Sequence, residues 1–183
     1  SGTVEGSSAD WMPKEGKWAN IAPNTPLYKD GKIFFCHGYN INGVMLQLSD
    51  DLKSVSVVWR TDVLDTHHGG YVEVNGTIYG SNWINNNQGN WCAIDWNTGA
   101  KGYETTWTGG KGKGSIIAAD GMLYCYDERR GAVALVNPDP AKFDIVSEFR
   151  ITKGVGPHWA HPVIVNGVLY IRHGFALMAY KVK

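Results

Sequence analysis

At 183 residues the chain is long enough to bury a sizeable core in one domain. Seventeen Lys and Arg balance seventeen Asp and Glu, so the bulk charge that nucleic acid or an anionic membrane surface would require is missing. No apolar run reaches the length of a spanning helix, and three cysteines at unrelated spacings make neither a disulfide framework nor a zinc site. The 23 glycines and 8 tryptophans, with few helix-favouring runs, read as all-β.

Taken in order, the first residues, 1–10, are small and polar and are expected to be a flexible lead-in to one domain over 11–183. Asp30-Gly31 then begins a pattern. Asn75-Gly76, Asp120-Gly121 and Asn166-Gly167 repeat it at steps of 45, 45 and 46 residues, each followed by Ile/Leu/Met and an aromatic residue. Asp-Gly and Asn-Gly between apolar runs are the strongest short hairpin signals, because a two-residue hairpin turn needs positive φ at both positions.

Around each hairpin the sequence predicts further strands. The first repeat, 24–60, is expected to hold strands at 26–29, 32–36, 44–48 and 55–60. The second, 67–107, should hold strands at 71–74, 77–81, 91–95 and 103–107. The third, 112–151, should hold strands at 115–119, 122–126, 132–136 and 145–151. The fourth, 157–183, offers only three, at 163–165, 168–172 and 176–180. Trp18 precedes its hairpin by 12 residues, much as Trp59, Trp107 and Phe149 precede theirs, so a stray outer strand at about 14–20 is expected to complete the fourth sheet. Four-stranded units at this period mean the blades of a four-bladed β-propeller array, in which first and last strands share a sheet and leave no open edge. Trp59, Trp107 and Phe149 are expected to be packing anchors between blades.

These repeats resemble the quinoprotein (pyrroloquinoline quinone) type of β-propeller. The residues that carry the resemblance are the turn glycines with their Ile/Leu-Tyr continuation and Ala93-Ile94-Asp95-Trp96-Asn97-Thr98-Gly99, similar to the family's tryptophan-docking pattern. Trp107 lies eight residues after Gly99, where the pattern has a Trp four after it. The family's rings have six to eight blades. The resemblance therefore implies half of an eight-bladed ring, completed by a homodimer or by the missing half of a longer chain, in a periplasmic or extracellular setting. Enzymatic members imply an alcohol or sugar dehydrogenase using pyrroloquinoline quinone with calcium. This chain lacks the adjacent Cys pair and a clear acidic calcium triad.

In that propeller type, loops before the first strand and after the second strand of each blade share a face. Aligned on the turns, His67, His68, Lys113, His158, Trp159 and His161 fall in the first set, and His37, Asn82, Asp127 and His173 form one column of the second. All six histidines are in these two sets. One reading is a His-rich funnel for a small-molecule or protein ligand, with Lys113 supplying charge and Trp159 stacking. The other is that the histidines bond neighbouring carbonyls and knit blades together. Adjacent His67 and His68 point to opposite faces if extended, so no metal site is expected. A His general base is conceivable for the dehydrogenase alternative, but no acid partner stands at a diagnostic spacing. Asp127-Glu128-Arg129-Arg130 reads as a solvated tip, 85–90 as a flexible polar loop able to cover a ligand, and 109–114 as no phosphate loop, since no helix follows it. A third possibility is a purely structural interaction module, as in outer-membrane assembly propellers of this class.

Overall fold

The computed structural model describes residues 21–182, so the expected lead-in at 1–10 and the stray strand around Trp18 lie outside the described residues. Fifteen strands and no helix are described. They form four antiparallel meanders in chain order. Sheet 1 holds β1 (Leu27–Lys29), β2 (Lys32–Cys36), β3 (Gly43–Leu48) and β4 (Val55–Thr61). Sheet 2 holds β5 (Tyr71–Val74), β6 (Thr77–Ser81), β7 (Trp91–Asp95) and β8 (Lys101–Thr105). Sheet 3 holds β9 (Gly114–Ala119), β10 (Met122–Asp127), β11 (Ala132–Asn137) and β12 (Asp144–Arg150). Sheet 4 has three strands, β13 (Val163–Val165), β14 (Val168–His173) and β15 (Ala176–Lys181).

The hairpins form as the turn chemistry requires. Asp30, Asn75, Asp120 and Asn166 sit at φ of 50–51°, and the glycines after them at 71–83°. Asp and Asn tolerate this left-handed region because their short polar side chains bond locally, and glycine has no Cβ to clash. A bulge recurs between the third and fourth strands of sheets 1, 2 and 3, at Met45/Leu46, Ala93/Ile94 and Leu135/Val136. It turns the outer strand relative to its neighbour at the same place in each sheet. One expected strand is displaced: 103–107 is Lys101–Thr105, and Trp107 lies beyond its end.

Side-chain alternation sorts each strand between two cores. In β10, Leu123 and Cys125 face sheet 2, within a cluster that includes Tyr79, Trp91 and Trp107, whereas Tyr124 and Tyr126 face sheet 4, with Leu169 and Ile171. Sheets 1 and 2 enclose Phe34, Met45, Leu64, Ile78 and Ile94. The sheets therefore stack face to face, as blades do, each core shared by consecutive sheets. Aromatic residues on or just past the fourth strands are the anchors between them. Trp59 covers Gly99 of the next sheet and donates to Trp96 O at 3.3 Å. Trp107 donates from Nε1 to Glu148 Oε2 at 2.9 Å, and the Phe149 ring meets Tyr180 at 4.7 Å. The aromatic residue over the Ala93–Gly99 turn is thus Trp59 of the preceding sheet, not Trp107 of its own. Asp95 shapes that turn by accepting from Asn97 N, Thr98 N and Thr98 Oγ1 through Oδ1.

Candidate functional site

The linkers that lead into the first strands, and the loops that follow the second strands, meet on one face. Close backbone approach brings them together. Gly38, at φ 82°, lies against His67, where an added Cβ would stand 2.6 Å from His67 Cα, and Gly69 touches Gly114 O in the same way. His161 reaches across to sheet 2, its Nε2 at 2.8 Å from His68 O. Asn24 joins the same junction, donating from Nδ2 to Thr66 O and His67 O at 2.7 and 2.9 Å.

On this junction runs a chain of rings. Trp83 meets Tyr39 at 4.9 Å, Tyr39 meets His67 at 4.4 Å, His67 meets His68 at 4.9 Å, and His68 meets Trp159 edge-on at 5.4 Å. Sheets 1, 2 and 4 each contribute to it. Sheet 3 supplies the support: buried Lys113 donates to Asn85 O, Asn86 O and Glu128 Oε1, and Glu128 Oε2 stands 3.2 Å from His68 Nε2. All three ammonium donors are thereby used. Burial raises the Glu128 carboxyl, but the His68 hydrogen bond and the Lys113 ammonium outweigh it and leave the group below the ordinary glutamate value. Burial lowers His67, and the neighbouring His68 and Lys113 charges lower it further. Trp159 is 58% exposed, and Tyr39, His67, His68 and Trp83 are half-buried.

The other sequence-selected residues serve the fold beneath this face. Asn82 donates to Val63 O at 3.1 Å and accepts from Asn90 N at 2.7 Å. His173 holds Lys153 O at 2.8 Å and Gly156 O at 2.7 Å. In both cases a residue at or just past the end of the second strand grips the linker that enters its own sheet. Asp127 occupies the same column in sheet 3 and accepts from Arg130 N, while its buried Oδ1 faces Gly110 without a partner. Burial pushes its carboxyl up despite the Arg130 and Arg129 amides. His37 stands buried at the matching position of sheet 1. His158 stacks on His173 at 3.7 Å and is drawn down to about 4 by burial and by His173. Its Nδ1 therefore accepts from the Tyr126 hydroxyl at 2.5 Å, since burial raises that phenol.

Three supports were missed. Glu128 and Asp127 are buried rather than on the solvated tip the sequence suggests, and only Arg129 and Arg130 of that run are exposed. Asp65 holds the Tyr39 loop by accepting from Gly38, Asn40 and Asn42 N at 2.7–2.9 Å, a loop in which Tyr39, Asn40 and Asn42 all take positive φ. Asn24 had no periodic counterpart to mark it. The 85–90 loop is pinned by Lys113 rather than left to swing.

The carboxylates of this face are already engaged: Glu128 by the Lys113 ammonium and the His68 ring, Asp65 by three amides, and Asp127 by the 127–130 turn. No cluster of three His, Cys, Asp or Glu among the described residues has metal-ligand geometry. This donor set does not fit a calcium ion, and no quinone chemistry is derived from it. Cys36, Cys92 and Cys125 are buried, and burial raises their thiols, which makes them poor nucleophiles.

No protein-family model matches the chain, and no curated protein sequence matches it. Solved structures do. BamB from Moraxella catarrhalis superposes with a TM-score of 0.63 at 14% identity, over 88% of this chain and 47% of that one. The computationally designed Ika8 protein gives 0.62 at 4% identity, covering 88% and 46%. Quinohemoprotein alcohol dehydrogenase from Comamonas testosteroni gives 0.59 at 15% identity, covering 82% and 28%. The fold resembles that of β-propeller proteins. The chain spans less than half the length of these neighbours, and at such identities the likeness concerns the fold alone. Among the described residues no helix is long and apolar enough to cross a membrane.

Proposed function

We propose that this chain is half of an eight-bladed propeller ring that works as a binding scaffold, its recognition surface being the ribbon Trp83–Tyr39–His67–His68–Trp159. The observation that carries this reading is the ribbon itself: four ring contacts link loops of three sheets, and a buried Lys113–Glu128 pair holds it from below. Rings locked by their neighbours lose little conformational freedom on binding, and an exposed Trp beside them is the side-chain type that dominates protein interfaces. A polypeptide partner suits such an open surface better than an enclosed small molecule does. The outward face of sheet 4, with Val163 52% and Leu177 69% exposed beside Val165 and Tyr170, is the seam against which the rest of the ring would pack. That remainder is a second copy of this chain or a further segment of a longer one. An extracytoplasmic setting rests on the fold resemblance.

Selection of displayed peptides on the purified protein tests this reading. Peptides selected on the wild type should lose binding to Trp159→Ala and His68→Ala variants whose melting is unchanged. Undiminished binding to both variants would refute it. Light scattering separately reads the ring: a dimer that Leu177→Glu dissociates supports a second copy at the seam. The dehydrogenase alternative would return if added pyrroloquinoline quinone and calcium stayed with the protein through gel filtration and supported alcohol oxidation.

A further inference from the structure

We infer that the cleft between sheets 2 and 3, outside the ribbon, is a binding site for a small organic anion: a carboxylate or phosphate on an apolar body. The cleft has a volume of about 570 Å³ and opens between the 84–90 loop, the linker at 106–111 and Arg129. That is the size of a small-molecule pocket. Its apolar part comes from Trp107, which is buried, and from Ile84, which is 47% exposed. Thr106 and Thr108 add hydroxyls at the rim.

The charges lining this cleft are of one sign. Lys111 and Arg129 are both exposed, and neither makes an ion pair with another described residue. Of the carboxylates around it, buried Asp127 lies beside Gly110, Gly112 and Arg129 and accepts from Arg130 N, and two others are committed elsewhere. Glu104 is held by Asn82, Asn90 and Lys101, and Glu148 accepts from the Trp107 N–H.

The guanidinium of one cation and the backbone of the other are also positioned. Arg129 donates from Nη1 to Asn87 O at 3.1 Å, so its guanidinium is tied to the opposite loop across the cleft. Lys111 is held at φ 78°, a region that costs a residue with a Cβ, and its N–H closes onto Trp107 O at 2.8 Å. An anionic group between an ammonium and a guanidinium gains charge-assisted hydrogen bonds, while its apolar body covers Ile84.

The test is calorimetric titration of 4-phenylbutyrate, with 4-phenylbutyramide and inorganic phosphate in parallel arms. The carboxylate should bind, weakening as salt rises, and the neutral amide should bind at least about tenfold more weakly. Lys111→Gly is the sharpest variant: it removes the ammonium and relieves the strained φ, so it should fold at least as well while losing most of the affinity. Arg129→Gln should do the same, and Trp159→Ala should leave this binding intact, which separates the cleft from the ribbon. A phosphate signal weaker than that of the phenylbutyrate assigns the apolar wall its part. No binding of the carboxylate, equal binding of acid and amide, or full affinity in Lys111→Gly overturns the inference.

Discussion

Two sets of residues share one face of this molecule and do opposite work. Those after the second strands point inward and fasten the fold: Asn82 onto Val63 O, His173 onto Lys153 O and Gly156 O. Three of those on the linkers before the first strands meet one another instead: His67 on His68, His68 on Trp159. The difference follows from position. A residue leaving the second strand is fixed by the sheet and sees its own linker's carbonyls, which need donors. A linker residue is held by the chain on either side, and its ring is free to face the next sheet's linker. Histidine serves both sets, because one ring can donate, accept and stack. Residue type therefore did not separate them, and alignment column did so only in part: Tyr39 and Trp83 of the ribbon follow second strands, while Lys113 and His158 precede first strands and are buried.

Perturbations that strike the fastening side should move stability, and those on the ribbon should spare it. The largest effect is expected from Lys113→Met, which leaves Glu128 buried without its ammonium. That should cost about 3–5 kcal/mol, seen as a Tm drop of roughly 6–20 °C, and hydrogen exchange of the 85–90 amides should quicken. Adding Glu128→Gln should restore part of the loss. His173→Ala comes next, at about 2–3 kcal/mol, because the ring N–H between the Lys153 and Gly156 carbonyls is lost and His158 loses its stacking partner; chemical denaturation reads it.

Asp127→Asn should run the other way. The Asp127 carboxyl is raised by burial, so its favourable contribution is present below the ordinary aspartate value and is lost as pH rises through the raised one. At neutral pH the amide keeps the bond from Arg130 N and gives the unpartnered Oδ1 position a donor, as Asn82 does in sheet 2. A gain of about 1 kcal/mol at pH 7, shrinking in acid, is expected.

His158 and Glu128 titrate with the opposite sign. Both sit below their ordinary values, so their contributions are present above the unfolded values and lost as pH falls through the folded ones. For His158 that window runs from about 6.5 to about 4. Melting followed across it should fall by an amount on the order of 1 kcal/mol, and His158→Gln should flatten the decline. The smallest effect belongs to Trp159→Ala, which should shift stability by less than about 0.5 kcal/mol. A large loss there would mean that the ribbon is a fastener too.

The described architecture was legible because its signals are local and periodic. Asp-Gly and Asn-Gly turns need only adjacent residues to take positive φ, and strand alternation needs only period two, so hairpins, sheets and anchoring aromatics could be placed to within about two residues. The candidate site was half legible. Columns aligned on the turns gathered Lys113, His67, His68 and Trp159, but Glu128 could not be told from its exposed neighbours Arg129 and Arg130, and Asp65 and Asn24 had no repeat to mark them. Their roles depend on which backbone amides and carbonyls the folded loops leave unpaired.

The sequence by itself thus determined the number of hairpins, the strand order within each sheet and the face on which the histidines gather, because these follow from turn chemistry and alternation along the chain. Tertiary structure alone decided which histidines grip carbonyls and which form an exposed ribbon. It also put Trp59, not Trp107, over the Ala93–Gly99 turn and drew two cations to one cleft. Those outcomes depend on where separate sheets meet, and a partner tens of residues away leaves no mark on the local pattern.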